Sequence, residues 1–405
     1  MPGMAIPFKA PMMTPTPEIR AAREALLLEV TQIPTAAGHE SAVMAFIDRW
    51  LAEHASAVTT QRDDVGNYLI TQRRHGGATP LLIITAHLDH PAFVVTAVHG
   101  RTIHAAFRGG VNDPYFVGAD IEIIGPKDER AQAIIATLTA DATPFKEITA
   151  ELTATTSGSP PALPAWLATG CIARWKFPSA EIRDGLIHTD ACDDLAAVAA
   201  ALCAFGELLH TEQCEHVGLL FTVAEEVGFM GAIHAARNAW IPKDARLLCL
   251  ENSRSFPNDS PIGAGAICRV GDRISVFSPS LTNHLAHLFS AESKQNPAFK
   301  WQRKLMAGGG CEASAFACYG YQSTCICLPL GNYHNMVDID GVAAGAQPAR
   351  VGREFVSIDD YHSMITMLHI AARGMDTTLP ESTEQLMERL YAERSFVLTK
   401  SRRDP

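Results

Sequence analysis

No basic run interrupts this sequence, no apolar stretch reaches the roughly 18 residues that a membrane helix needs, and no pair of cysteines stands at zinc-finger spacing. Each absence removes a class of function. With 33 Lys and Arg against 44 Asp and Glu, the net charge is −11. That balance argues against general affinity for nucleic acid or anionic membrane, because both rest on clustered cations. Residues 1–13 carry one Lys, three Pro and no apolar core of signal-peptide length, so a reducing cytoplasm is the expected address. The ten cysteines are scattered, several of them inside the apolar runs 247–250 and 324–328, where free thiols behave as small apolar side chains. No internal repeat is present.

What the sequence does contain is a globular chain of 405 residues, 47% hydrophobic and 19% charged, for which two domains are the expectation. Segment 17–54 has helical periodicity (Ile19, Ala22, Leu26, Leu27 and Val30, then Val43, Phe46, Ile47, Trp50 and Leu51), broken at Pro34 and Gly38 into two helices. Residues 67–72 read as a strand. The run 80–86, closed by His87, has the unbroken apolar character of a buried parallel strand, and similar runs recur at 217–223 and 245–250 next to helical patterns. This alternation marks an α/β fold with a helix-covered parallel sheet. Residues 94–180 differ: apolar and polar residues alternate, Gly109 and Gly110 interrupt them, and a Thr-, Ala- and Pro-rich section follows at 137–165. They read as a small β-rich domain inserted into a catalytic domain made of 1–93 and 181–405. An amphipathic helix is expected at 383–396.

Five places put a metal-ligand residue just after a buried strand or at the start of a helix. His87 closes an apolar strand, at the sheet edge where open α/β folds bind ligands, and Asp89, two residues on, can fix its tautomer. Cys192-Asp193-Asp194 precedes the helical run 195–209, so these aspartates either cap that helix or bind metal. Glu225-Glu226 follows the strand 217–223. Adjacent carboxylates in a dry pocket repel unless a cation neutralises one of them, and neighbouring residues point apart, so the pair can divide two tasks. Glu251 ends the run 247–250, and His334 lies in the loop after 323–328. Surface placement is the bland alternative for these two, as a structural histidine is for His87 and a solvated loop pair for Glu225-Glu226, and such readings weaken when two histidines and three carboxylates converge on one sheet edge. Nitrogen and oxygen donors without thiolate suit zinc, cobalt or manganese. The carboxylates of Asp193, Glu226 and Glu251 set against two dications leave one positive charge, which favours a pair of ions.

In order along the chain, TAHLDHPAFVV (85–95), RGGVNDPYFVGADIEIIG (108–125), TVAEEVGFMGA (222–232) and IGAGA (262–266) resemble the signature segments of the glutamyl and deblocking aminopeptidases, some of which carry endoglucanase names. The resemblance implies a zinc-aminopeptidase-like domain, a helix-covered mixed sheet, with the insert folded as a small β barrel that mediates homo-oligomerisation. It implies two divalent metal ions, with His87 and Glu251 on one, Glu226 and His334 on the other, and Asp193 bridging. Glu225 would be the general base, Asp89 would orient His87, and the substrates would be peptides with a free N-terminus. A water acidified by the pair, from a pKa of about 15.7 towards about 7, would supply the nucleophile. Glu312 is a candidate for meeting the substrate amine. The family pattern is departed from at His90, at Asp194-Leu195-Ala196-Ala197, at Gly309-Gly310-Cys311-Glu312, and in having Glu rather than Asp at 251.

Three alternatives stand beside this reading. A related zinc amidase, deacylase or carboxypeptidase would share the ligands but carry an αβ lid in place of a β insert. An inactive metal-binding scaffold would have no use for Glu225. Dinucleotide binding is disfavoured, because Gly263-Ala264-Gly265 lacks a third glycine at the required spacing.

Overall fold

The computed structural model describes residues 15–77, 79–153, 163–377 and 383–400. The opening segment 1–13 and part of the Thr-, Ala- and Pro-rich stretch lie outside the described residues. The chain starts with helices α1 (Pro17–Val30) and α2 (Ser41–Glu53) and the hairpin β1 (Val58–Arg62) and β2 (Tyr68–Gln72), then enters β3 (Leu82–His87). Pro17 begins α1 and Thr16 caps it, its hydroxyl accepting from the Ile19 amide.

Six strands follow: β4 (Ala92–His99), β5 (Thr102–Arg108), β6 (Asp120–Ile124), β7 (Arg130–Thr139), β8 (Lys146–Leu152) and β9 (Ile172–Trp175). They close into a barrel in the order β4-β5-β8-β7-β6-β9. Closure follows from the alternating pattern: Ile121, Ile123, Ala133, Ile135, Ile148 and Ala150 fill the interior, and the residues between them face outward. A cluster of aromatic rings centres this core. Phe107 lies 4.8 Å from Phe93 and 4.9 Å from Phe116 between ring centroids, and Phe93 meets Trp175 edge-on at 4.9 Å.

Beyond the barrel come β10 (Glu181–Arg183), β11 (Leu186–Thr189), α3 (Leu195–Leu208), β12 (Val217–Thr222), α4 (Met230–Arg237), β13 (Arg246–Arg254), β14 (Ala266–Arg269), α5 (Pro279–Gln295), β15 (Trp301–Lys304), α6 (Glu312–Cys318), β16 (Gln322–Leu330), α7 (Ile339–Ala343), β17 (Glu354–Ser357), α8 (Ile358–Gly374), α9 (Thr383–Arg394) and α10 (Phe396–Lys400). No described helix is long and apolar enough to cross a membrane. All ten cysteines are free thiols.

The main sheet runs β1-β2-β12-β3-β13-β16-β14-β15. Its central four strands, β12, β3, β13 and β16, are mutually parallel, while β2 and β14 pair antiparallel at their flanks, so the sheet is mixed. Both faces are covered. Leu82, Ile84 and Ala86 face α3 and α8, and Ile83 faces the layer of α4 and α6. Helix α3 (LAAVAAALCAFGEL) is apolar on every side, as a helix enclosed all round must be, and its small alanines let the sheet and its neighbours come close. Register then fixes the site: Thr222 lies level with His87, and Cys249 with Thr85, so Glu251, inside β13, comes beside His87 at the end of β3.

Phe107→Ala would empty the centre of the barrel and cost about 3–5 kcal/mol. Urea denaturation checks this, and a loss below about 1 kcal/mol would show that the aromatic cluster is not what holds the barrel.

Candidate metal centre

Period-two alternation puts Thr85 and His87 on the same face of β3, and Cys249 and Glu251 on the same face of β13. At the carboxyl ends of these strands the chain must turn, and the turns carry the remaining groups. Asp193 stands in the loop before α3, and Glu225-Glu226 in the loop between β12 and α4. His334 sits in a tight turn after β16, in which Asn332, His334 and Asn335 all adopt left-handed backbone angles (φ 51, 53 and 63°). Such angles are unfavourable for residues with a Cβ and gather at functional sites.

The structure brings these side chains together. His87 Nε2 lies 3.4 Å from Asp193 Oδ1 and 3.8 Å from Glu225 Oε2. His334 Nε2 lies 3.4 Å from Asp193 Oδ2 and 3.5 Å from Glu226 Oε1. The two oxygens of Asp193 thus face different imidazoles. Three groups offer donor atoms within 4.8 Å of one another: His87, Asp193 and Asp194; His87, Glu225 and Glu226; and Asp193, Glu226 and His334. Glu251 joins none of these tight groups, although its buried carboxyl is close enough to feel Glu225, Asp193 and His87. Each imidazole is oriented from behind: His87 Nδ1 lies 3.2 Å from the Asp89 carbonyl and 3.4 Å from its carboxylate, and His334 Nδ1 lies 2.6 Å from the Gly110 carbonyl. Gly110 is delivered from the end of β5 past Gly109, where a Cβ would stand 2.6 Å from Pro91 and φ is 142°, so only glycine fits.

Asp194 occupies the N-cap position of α3, yet its side chain makes no capping bond. Its carboxylate instead accepts from the His87 amide at 3.3 Å and from Asn252 Nδ2 at 2.8 Å. The bulkier His90 reaches the Asp193 carbonyl through Nδ1 and the Asn335 side-chain oxygen through Nε2, and burial pushes its pKa down to about 4. Glu312 is enclosed, accepting from the Thr85 hydroxyl at 3.4 Å, and burial lifts its carboxyl to about 7. The second His-x-Asp is elsewhere: Asp190 pairs with Arg174 at 2.8 Å.

Burial drives the carboxyls of Glu225, Glu226 and Glu251 well above the ordinary range. Asp193 goes the other way. Burial opposes its charge, but the His334 and His87 imidazoles overcome that and hold its pKa below the usual value. Asp193 Oδ1, Glu226 Oε1 and Glu251 Oε1 are buried and accept no hydrogen bond from any described group. Bare carboxylate oxygens cost several kcal/mol each when desolvated, and cations are what restores the balance. The donor set therefore fits divalent metal.

Two neighbours escaped the sequence reading. Glu354, fully buried on β17, accepts from the amides of Cys192 (2.7 Å), Asp193 (3.0 Å) and His334 (2.8 Å), tying two site-bearing segments to one carboxyl. No local pattern marks it, since its partners are distant in the chain. Tyr333 stacks its ring on His334 at 3.8 Å, and burial beside Asp193, Glu226 and Glu251 raises its phenol well above 10.

Residues 66–347 match the family model described as M42 glutamyl aminopeptidase. No curated relative matches the sequence. Among solved structures, the chain is similar to the TET aminopeptidase of a marine-sediment Thaumarchaeota archaeon, with 18% identity, 91% of this chain and 99% of that one covered, and a TM-score of 0.69. It is similar also to an aminopeptidase of the archaeon Desulfurococcus kamchatkensis, at 18% identity, 87% and 95% coverage and a TM-score of 0.68. A third is the Pyrococcus horikoshii TET1 peptidase, which can assemble into a tetrahedron or a large octahedral shell, at 18% identity, 86% and 99% coverage and a TM-score of 0.65. At these identities the likeness is one of fold.

Glu354→Ala strips a buried acceptor from three amides. At about 1–3 kcal/mol for each stranded donor, the loss in stability should reach about 3 kcal/mol or more. Thermal unfolding and metal content should both fall, and Glu354→Gln, which keeps one acceptor oxygen but turns an NH2 group on the remaining amides, should recover only part of each. An alanine variant as stable and as metal-rich as the parent would refute this role.

Proposed function

The chain belongs to the M42 glutamyl aminopeptidase family of peptide-bond hydrolases, and from that premise we propose that it is a metal-dependent aminopeptidase working through two divalent ions. The observation that carries the proposal is the placement of Asp193, whose Oδ1 and Oδ2 each lie 3.4 Å from a different imidazole. A carboxylate so placed suits a bridge. In this assignment His87 and Glu251 would hold one ion, Glu226 and His334 the other, and Asp193 would contribute to both. Zinc suits this nitrogen and oxygen set best, with cobalt and manganese also compatible.

When bound, such a pair supplies Lewis acidity, acidifying water and polarising a carbonyl. The remaining work falls to the protein. Glu225, its Oε2 3.8 Å from the His87 ring, takes the proton from the attacking water and returns it to the leaving amine. Adjacent Glu226 turns towards His334 instead, so the two neighbours divide the tasks of base and ligand. Asp89 serves both sides: its carboxylate lies beside His87 Nδ1 while accepting from the Glu225 amide at 2.9 Å and the Glu226 amide at 3.0 Å. The closed barrel, rather than an αβ lid, favours the aminopeptidase over the related amidases and carboxypeptidases. Self-association through that barrel into a homo-oligomer, in the cytoplasm, completes the proposal. The assemblies of the Pyrococcus horikoshii relative and the free thiols of this chain support it.

Glu225→Gln should keep its metal and lose about two orders of magnitude or more in kcat, the scale of a general base, whereas His334→Ala should lose metal itself. Metal analysis beside turnover separates the two. Chelation should abolish hydrolysis of aminoacyl anilides, zinc, cobalt or manganese should restore it, and N-acyl amino acids should be poor substrates throughout. Full activity in Glu225→Gln, or in the chelated protein, would overturn the proposal.

A further inference from the structure

Glu40 precedes α2 at its N-cap, a position that favours Ser, Thr, Asp or Asn, and its side chain makes no capping bond. It is directed elsewhere. The carboxyl is 4% exposed, and its Oε1 accepts from the amide of Gly38 at 2.7 Å and from that of Ala224 at 2.9 Å. Ala224 opens the loop that carries Glu225 and Glu226, and it is left-handed (φ 53°), as is Phe229 (φ 63°) at the far end. An L residue with a Cβ does not hold that angle unless its surroundings impose it. The next two amides are held as well, Glu225 by Asp89 Oδ1 and Glu226 by Asp89 Oδ2. Three successive amides thus end on two buried carboxyls, one from the turn after β3 and one from the start of α2.

We propose that Glu40 is a positioning residue for catalysis: it latches the Ala224 amide and so holds the loop in the conformation that aims Glu225 at the reacting water. This rests on the reading of Glu225 as general base and adds to it a residue that touches neither metal nor substrate. Burial, and then Asp89, lift Glu40 to about 7. Oε1 can accept from both amides in either protonation form, so the latch works through hydrogen bonding rather than charge. A neutral amide side chain of the same length should therefore replace it. Misplacing a reacting group by about 1 Å can cost about 10²-fold in rate, so a loosened latch acts on kcat before it acts on binding.

The test compares Glu40→Ala and Glu40→Gln in the metal-loaded, full-length enzyme, by steady-state kinetics per bound metal and by amide hydrogen exchange across residues 222–231. Glu40→Ala should lower kcat at least about tenfold with KM within about threefold, and speed exchange in that segment at least about tenfold. Glu40→Gln should restore both to within about threefold. The proposal is overturned if Glu40→Ala keeps its kcat, if its lost rate only tracks lost metal, if exchange is unchanged, or if Glu40→Gln is as impaired. A fully active Glu225→Gln alongside faster exchange in Glu40→Ala would remove Glu225 as base while leaving the latch in place.

Discussion

Everything around the centre answers to one constraint, the burial of Asp193 between two imidazoles at the carboxyl edge of a parallel sheet. A carboxylate there is tolerable only because His87 and His334 face its two oxygens. Adding Glu225, Glu226 and Glu251 to the same space exceeds what two imidazoles can balance, and the bare oxygens of Asp193, Glu226 and Glu251 record the excess. Divalent cations relieve it, and the donor set is shaped for them.

A second set of carboxyls is engaged by main chain. Asp89, Asp194, Glu354 and Glu40 turn their oxygens to backbone amides: Asp89 to Glu225 and Glu226, Asp194 to His87, Glu354 to Cys192, Asp193 and His334, and Glu40 to Gly38 and Ala224. Amides are fixed donors, so each such bond pins main chain rather than a rotatable side chain. That accounts for a site built on loops that nevertheless sustains left-handed angles at Ala224, His334 and Asn335. The barrel takes part as well. The Gly110 carbonyl orients His334, and the Tyr115 hydroxyl donates to the Val337 carbonyl, so the β-rich segment buttresses the turn that carries the second imidazole.

Much of this was legible in the residues. The apolar runs ending at His87, Thr222 and Leu250 gave the central strands, because a strand covered on both faces must be apolar throughout. The candidate ligands at their ends were visible as polar breaks in those runs. Less visible was the antiparallel pairing of β2 and β14, which makes the sheet mixed, since the direction of a flanking strand leaves no trace in its own composition. Asp194 was open to reading as a helix cap, and local preference pointed that way. Its side chain left the helix because the His87 amide and Asn252 were within reach only after folding.

By itself, the sequence determined the class of fold, the chemistry of the donors and the family, since these depend on residue type, period and order along the chain. Tertiary structure alone decided which oxygen faces which imidazole, and that Glu40 and Glu354, unremarkable in their own segments, bond the amides of Ala224 and Asp193 from 184 and 161 positions away. The physical reason is that a hydrogen bond to a buried amide is specified by where two distant backbones come to rest, and no local pattern of residues encodes that position.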